Sequence, residues 1–226
     1  MFTGGGAKGE WRSWKFSEVA YRRGDLASFV LGVVSLWPMV AIACLVAVTL
    51  VTCDRRGLAA LWVLLANEAV NLALKELAQE PRPFHEWDTS EIGHGMPSRH
   101  AQTSFAFATV VLFFFGRRLS GMKRLARAAI FVLARLRLRQ GWLYNAFILA
   151  FNLVGQLTTP RAWALFAVAG AVAVGRVVNG YHTPAQVAVG AGVGVAFPLL
   201  LSCTPLPRRL ATLSLPALQL AHSILR

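Results

Sequence analysis

Apolar residues run through this chain in long uninterrupted blocks, and most of its charge falls in the gaps between them. The blocks are Ala27–Cys53, Leu58–Ala78 and, counting flanks, Ala101–Gly116, Ala162–Val178 and Val187–Cys203. Crossing about 30 Å of hydrocarbon takes roughly 20 residues of helix at about 1.5 Å each, so each block predicts a membrane-spanning helix. Turns are expected at Asp54-Arg55-Arg56-Gly57, at Pro81 and Pro83, and at Pro205 with Pro207. The pattern predicts an all-α protein, a polytopic transmembrane helical bundle. Residues 1–26 would form an N-terminal extramembrane segment, 27–203 the membrane-embedded domain and 204–226 a C-terminal cytoplasmic tail.

Composition narrows the picture. At 226 residues and 56% hydrophobic side chains, one membrane domain suffices. The formal charge of +13 would suit nucleic acid, but the basic residues lie between apolar blocks, with eight of them in Arg117–Arg139. Contact with anionic lipid headgroups and control of topology explain that placement, and nucleic acid is not expected as a partner. Cys44, Cys53 and Cys203 lie within or at the ends of apolar blocks and imply neither a disulfide framework nor a metal site. The N-terminal stretch with Gly4-Gly5-Gly6 lacks the apolar core of a signal peptide, so the first span is expected to act as the targeting signal.

Three polar segments break the pattern: Lys75 through Glu80-Pro81-Arg82-Pro83, then Gly95-Met96-Pro97-Ser98-Arg99-His100, then Arg176 through Tyr181-His182-Thr183-Pro184-Ala185-Gln186. Several cations with two histidines suit a phosphate ester. The anion needs Lys or Arg, and cleaving it without a metal needs a nucleophile and a proton donor, for which histidine is competent. Taken singly, a cation at a helix end is more often a snorkelling anchor. Glu68, Asn71 and Lys75 are spaced by three and four, a polar stripe that serves either helix packing or substrate contact.

A single site also constrains topology. If the second span delivers Lys75 and Arg82 to one face, the third must start there at His100. Were Trp142–Leu157 to cross as well, His182 would emerge on the opposite face, so that run is expected to be interfacial or re-entrant. Counting positive charges places Arg117–Arg139, Arg55, Arg56, Arg208 and Arg209 in the cytoplasm and the three polar segments on the luminal side. Lys8, Arg12, Lys15, Arg22 and Arg23 run against that assignment.

The spacings Lys75-x6-Arg82-Pro83, Pro97-Ser98-Arg99-His100 and Arg176-x5-His182 resemble the three motifs of the type 2 phosphatidic-acid-phosphatase superfamily, whose helical fold is shared with vanadium haloperoxidases. Within it the chain looks most like the dolichyl-diphosphatase branch, through Asn67-Glu68, Glu80-Pro81-Arg82-Pro83, Gly95-Met96-Pro97-Ser98, His100, Gln102, Arg176, Tyr181-His182-Thr183 and Gln186. A fainter likeness lies at Tyr21, Gly24-Asp25-Leu26 and Ser35-Leu36. The resemblance implies that Lys75, Arg82, Ser98, Arg99 and Arg176 bind phosphate, that His182 is the nucleophile forming a phosphohistidine, and that His100 protonates the leaving oxygen. It implies no cofactor and no metal.

Two positions depart from the wider superfamily: Gly175 stands where Ser is usual, and Gln186 where Asp is. Gln186 can accept the Nδ1–H of His182 or complete a capping box with Thr183, and its presence matches the dolichyl-diphosphatase branch. Ser98 can cap the helix that follows or meet the anion at its N-terminus. His85, His94 and His222 match no motif. The resemblance thus implies hydrolysis of a polyisoprenyl diphosphate, dolichyl diphosphate, at the luminal face of the endoplasmic reticulum membrane, recycling the carrier of N-glycosylation. The alternatives are a phosphatase for another lipid such as phosphatidate, or a non-catalytic lipid-binding or transport protein.

Overall fold

The computed structural model describes residues 11–14, 19–83, 93–115 and 160–224. Among the described residues an antiparallel hairpin, β1 (Trp11–Trp14) on β2 (Val19–Arg22), precedes seven helices: α1 (Leu26–Val34), α2 (Trp37–Thr52), α3 (Arg55–Ala78), α4 (Arg99–Phe115), α5 (Pro160–Val178), α6 (Pro184–Cys203) and α7 (Leu206–Ile224). Local chemistry sets the boundaries. Asp25 accepts the amide of Ser28 at 3.1 Å to open α1, and Asp54 accepts that of Arg56 at 2.9 Å to open α3. The first apolar block breaks at Ser35-Leu36 into α1 and α2, and Pro38 in the first turn of α2 suits a helix start. α3 ends at Gln79, which adopts the left-handed conformation.

Among the described residues four segments are long and apolar enough to cross a membrane: Leu26–Thr52, α3, α5 and α6. Their outward residues remain apolar, among them Val40, Val48, Leu65, Leu72 and Leu200, as a lipid-facing surface requires. Residues 206–224, expected as a tail, form α7, which packs on α3 through buried Ala211 and a 3.1 Å bond from Trp62 Nε1 to Ser214 Oγ.

α4 lies at the centre, packed against α2, α3, α5 and α6. On one side Ala106 and Val110 join Ala41, Leu45, Ala60 and Val63 in the apolar core. On the other, α6 approaches so closely that a Cβ on Gly190 would lie 2.6 Å from the Ser98 carbonyl, and one on Gly194 would overlap that of Gln102. Such small residues four apart are how membrane helices meet. A buried amide network ties α4 to α3: Gln102 Nε2 donates to Asn67 O at 2.9 Å and Oδ1 at 3.1 Å, and Asn71 Nδ2 donates to Gln102 Oε1 at 2.8 Å.

Helix directions follow from these contacts. The guanidinium of Arg56, at the start of α3, sits 5.7 Å from the ring of Phe115 at the end of α4, so the two are antiparallel. The ends of α3 and α5 and the starts of α4 and α6 gather at one end of the bundle. α4 therefore leaves toward the far end, from which α5 returns. The sequence-based topology needed that parity; Trp142–Leu157 and Arg117–Arg139 themselves lie outside the described residues.

Candidate active site

The end of the bundle where these four helices meet collects every residue singled out from the three motifs. Lys75 lies in the last turn of α3 and Arg82 just beyond it; Ser98, Arg99 and His100 open α4; Arg176 lies in the last turn of α5; His182 precedes α6 and Gln186 lies in its first turn. The loop ends are stitched together by backbone bonds. Ser98 N donates to Gln186 O at 3.0 Å, joining the second motif to the third, and the amides of Tyr181 and His182 both donate to Arg176 O, at 2.9 and 3.1 Å. The starts of α4 and α6 turn their positive dipole ends to the same region.

Charge is concentrated here in little solvent. Arg176 is 2% exposed, and its guanidinium lies 3.6 Å over the ring of Tyr181, a cation–π contact. Lys75 donates to the carbonyl of His94 and lies within electrostatic reach of Arg82, Arg99 and Arg176. His100 feels Arg176, His182, Arg99 and Arg82. His182 is buried; that burial above all, then the charges of Arg176 and Arg82, pulls its pKa from 6.5 down to about 3, against the opposing effect of its hydrogen bond to Gln186. Its imidazole is neutral at pH 7.

Gln186 fixes the tautomer of that ring. Its Nε2 donates to Glu80 Oε1 at 2.9 Å and Pro81 O at 2.8 Å, so its Oε1 faces the amide of Thr183 and His182 Nδ1, each at 3.2 Å. An oxygen accepts only, so Nδ1 carries the proton and Nε2 keeps a lone pair. Thr183 Oγ1 in turn accepts the amide of Gln186 at 3.2 Å, completing the capping box. Orientation and capping, alternatives in the sequence, are both performed by one side chain.

A model of the PAP2 superfamily matches residues 56–209, more than half of the chain and all three motifs. The chain belongs to the PAP2 superfamily. Among curated proteins this PAP2 member is similar to Dolichyldiphosphatase 1 of Rhinolophus ferrumequinum, 33% identical over 105 residues (46% of this chain, 44% of the relative). The human protein of that name is 33% identical and the mouse one 30%, each over 106 residues with the same coverage. The chain thus spans less than half the length of these relatives. No solved structure shows a significant match.

Other placements separate the PAP2 site from its surroundings. Arg99 forms an ion pair with Glu68 of α3, and its side chain is 58% exposed. Ser98 is fully buried, and its Oγ has no hydrogen-bond partner among the described residues, so it does not cap α4. Asn71 also bonds the Pro97 carbonyl at 3.4 Å; with Glu68 it spends the polar stripe on joining α3 to α4. A Cβ at Gly175 would lie 3.0 Å from the Leu31 carbonyl, so this position faces α1 and serves its close packing. Asn179 anchors α1 beside the site through Ser28, accepting from Ser28 Oγ at 2.8 Å and donating to Ser28 O at 3.1 Å. Sequence reasoning missed Glu80 as a partner of Gln186, Tyr181 beneath Arg176, and the Gly190-x3-Gly194 seam, whose spacing was the available signal. His85 lies outside the described residues.

Proposed function

We propose that this chain hydrolyses a polyisoprenyl diphosphate, dolichyl diphosphate, to the monophosphate and inorganic phosphate. The observation that carries the reading is the neutral, buried His182 with Nδ1 held by Gln186 amid Arg176, Arg82 and Lys75. That is a nucleophile prepared for an anionic electrophile. Its Nε2 attacks the terminal phosphorus. The anhydride P–O bond breaks with its electron pair on the bridging oxygen, and His100, protonated once the negative charge of the bound diphosphate sits beside it, donates a proton there. Arg176, Arg82 and Lys75 hold the equatorial oxygens as charge shifts, the term that dominates phosphoryl transfer. His100, now neutral, takes a proton from water as it attacks the phosphohistidine, releasing phosphate and restoring both rings.

The lipid moiety fits the setting, since the site sits at one end of helices whose outer faces are apolar. The diphosphate assignment rests on the names of the similar proteins. Arg55, Arg56, Arg161, Arg208 and Arg209 lie at the end opposite the site, which favours a cytoplasmic far end and a luminal site in the endoplasmic reticulum membrane. Purified protein in detergent, with no added metal, should release phosphate from dolichyl diphosphate faster than from phosphatidate. Preference for phosphatidate would replace the substrate, and release from neither would leave a binding protein.

A further inference from the structure

The PAP2 site of this chain lacks the carboxylate that its wider family sets against the nucleophilic histidine, yet a carboxylate stands one residue further out. Glu80, in the turn after α3, accepts Gln186 Nε2 at 2.9 Å, while the other end of the same amide meets His182 Nδ1 at 3.2 Å. The three groups form a continuous line: carboxylate, amide, imidazole. Surrounding contacts hold that line taut. Gly95 N donates to Glu80 O at 2.6 Å, and Gly95 lies so close to the amide that an added Cβ would sit 2.5 Å from Gln186 Nε2. Gln186 is completely buried, so its amide has no water to turn toward.

We propose that Glu80 is a positioning residue that supplies, through the Gln186 amide, the negative charge missing at position 186. This deepens the phosphohistidine reading and rests on it. When Nε2 bonds to phosphorus the ring gains positive charge and its Nδ1–H becomes a stronger donor. A carboxylate at the far end of the amide polarises it, N–H toward Glu80 and oxygen toward the ring, as hydrogen-bonded chains reinforce one another. Glu80 touches neither the ring nor the substrate; it acts through Gln186. The same geometry explains why Asp or Glu at 186 is unsuitable here. A carboxylate in that place would face Glu80 and the Pro81 carbonyl, both acceptors, where the amide now donates.

Glu80→Gln tests this with little risk to folding, because it keeps the shape and an acceptor oxygen while removing the charge. We expect kcat on dolichyl diphosphate to fall roughly 10-fold or more, in the range that partners of orienting groups typically command, with KM nearly unchanged. In a Gln186→Ala background, Glu80→Gln should cost nothing further. Moving the carboxylate inward, with Glu80→Gln and Gln186→Glu combined, should recover turnover relative to Gln186→Glu alone. A readout free of substrate separates this inference from the functional proposal: in 15N-histidine spectra of the full chain in micelles, the His182 Nδ1–H resonance should shift in Glu80→Gln, indicating a weaker hydrogen bond. Wild-type kcat with an unmoved resonance would overturn the role of Glu80. A wild-type protein that releases no phosphate would overturn the enzyme reading, while the spectra still decide this one.

Discussion

Adding one methyl group at Gly190 or Gly194 should disable the site without touching a polar residue in it. α4 brings His100 and α6 brings His182, and the two helices meet over backbone. A Cβ at Gly190 would lie 2.6 Å from Ser98 O, short of ordinary contact at 3.4 Å by 0.8 Å, and the obstacle is a carbonyl that cannot rotate aside. The helices must separate by nearly an ångström. Overpacking of this kind costs about 1–3 kcal/mol of stability, and a misplacement of about 1 Å can cost on the order of 100-fold in rate. The same helix contains its own control. Gly192→Ala adds the same methyl where nothing lies within 4 Å, so it should keep wild-type turnover and match or exceed wild-type stability. Phosphate release and thermal unfolding in detergent, measured on all three variants, give the answer. Should Gly190→Ala and Gly194→Ala behave like Gly192→Ala, the close α4–α6 seam does not set the distance between the two histidines.

Other consequences can be checked separately. Because the folded-state pKa of His182 is depressed from 6.5 to about 3, its contribution to stability is fully present above about 6.5 and is lost as pH falls toward about 3. Melting temperatures across that window should therefore fall less steeply in His182→Ala than in wild type. Chelators should leave activity intact, since cations at the site take the part of a metal; a strict need for added Mg²⁺ would contradict the mechanism. Glycosylation tags should be modified when inserted between Pro83 and Gly93 and not in Arg117–Arg139, and a modified tag in the arginine-rich segment would reverse the topology.

Uninterrupted blocks of apolar residues were enough to locate most candidate spans, because hydrocarbon leaves the backbone little choice but helix. The break at Ser35-Leu36 and the helix α7 escaped that reading: the first interrupts an apolar block without changing its composition, and the second is amphipathic and packs mainly on α3. Arg82, His100, Arg176 and His182 came into view through their likeness to the three motifs of the superfamily, and the fold gathers them at one end of the bundle. Glu80 was not, because its role depends on a partner 106 positions away, and the direction of Gly175 toward α1 depends on helix rotation that the sequence does not display.

The central claim is that His182 carries the phosphate during turnover. Rapid quenching of the protein with dolichyl diphosphate labelled in its terminal phosphate should trap label on wild type and on His100→Ala, acid-labile and base-stable as a phosphoramidate, and none on His182→Ala. Label retained by His182→Ala, or hydrolysis by wild type with no trapped label at any quench time, would contradict the account.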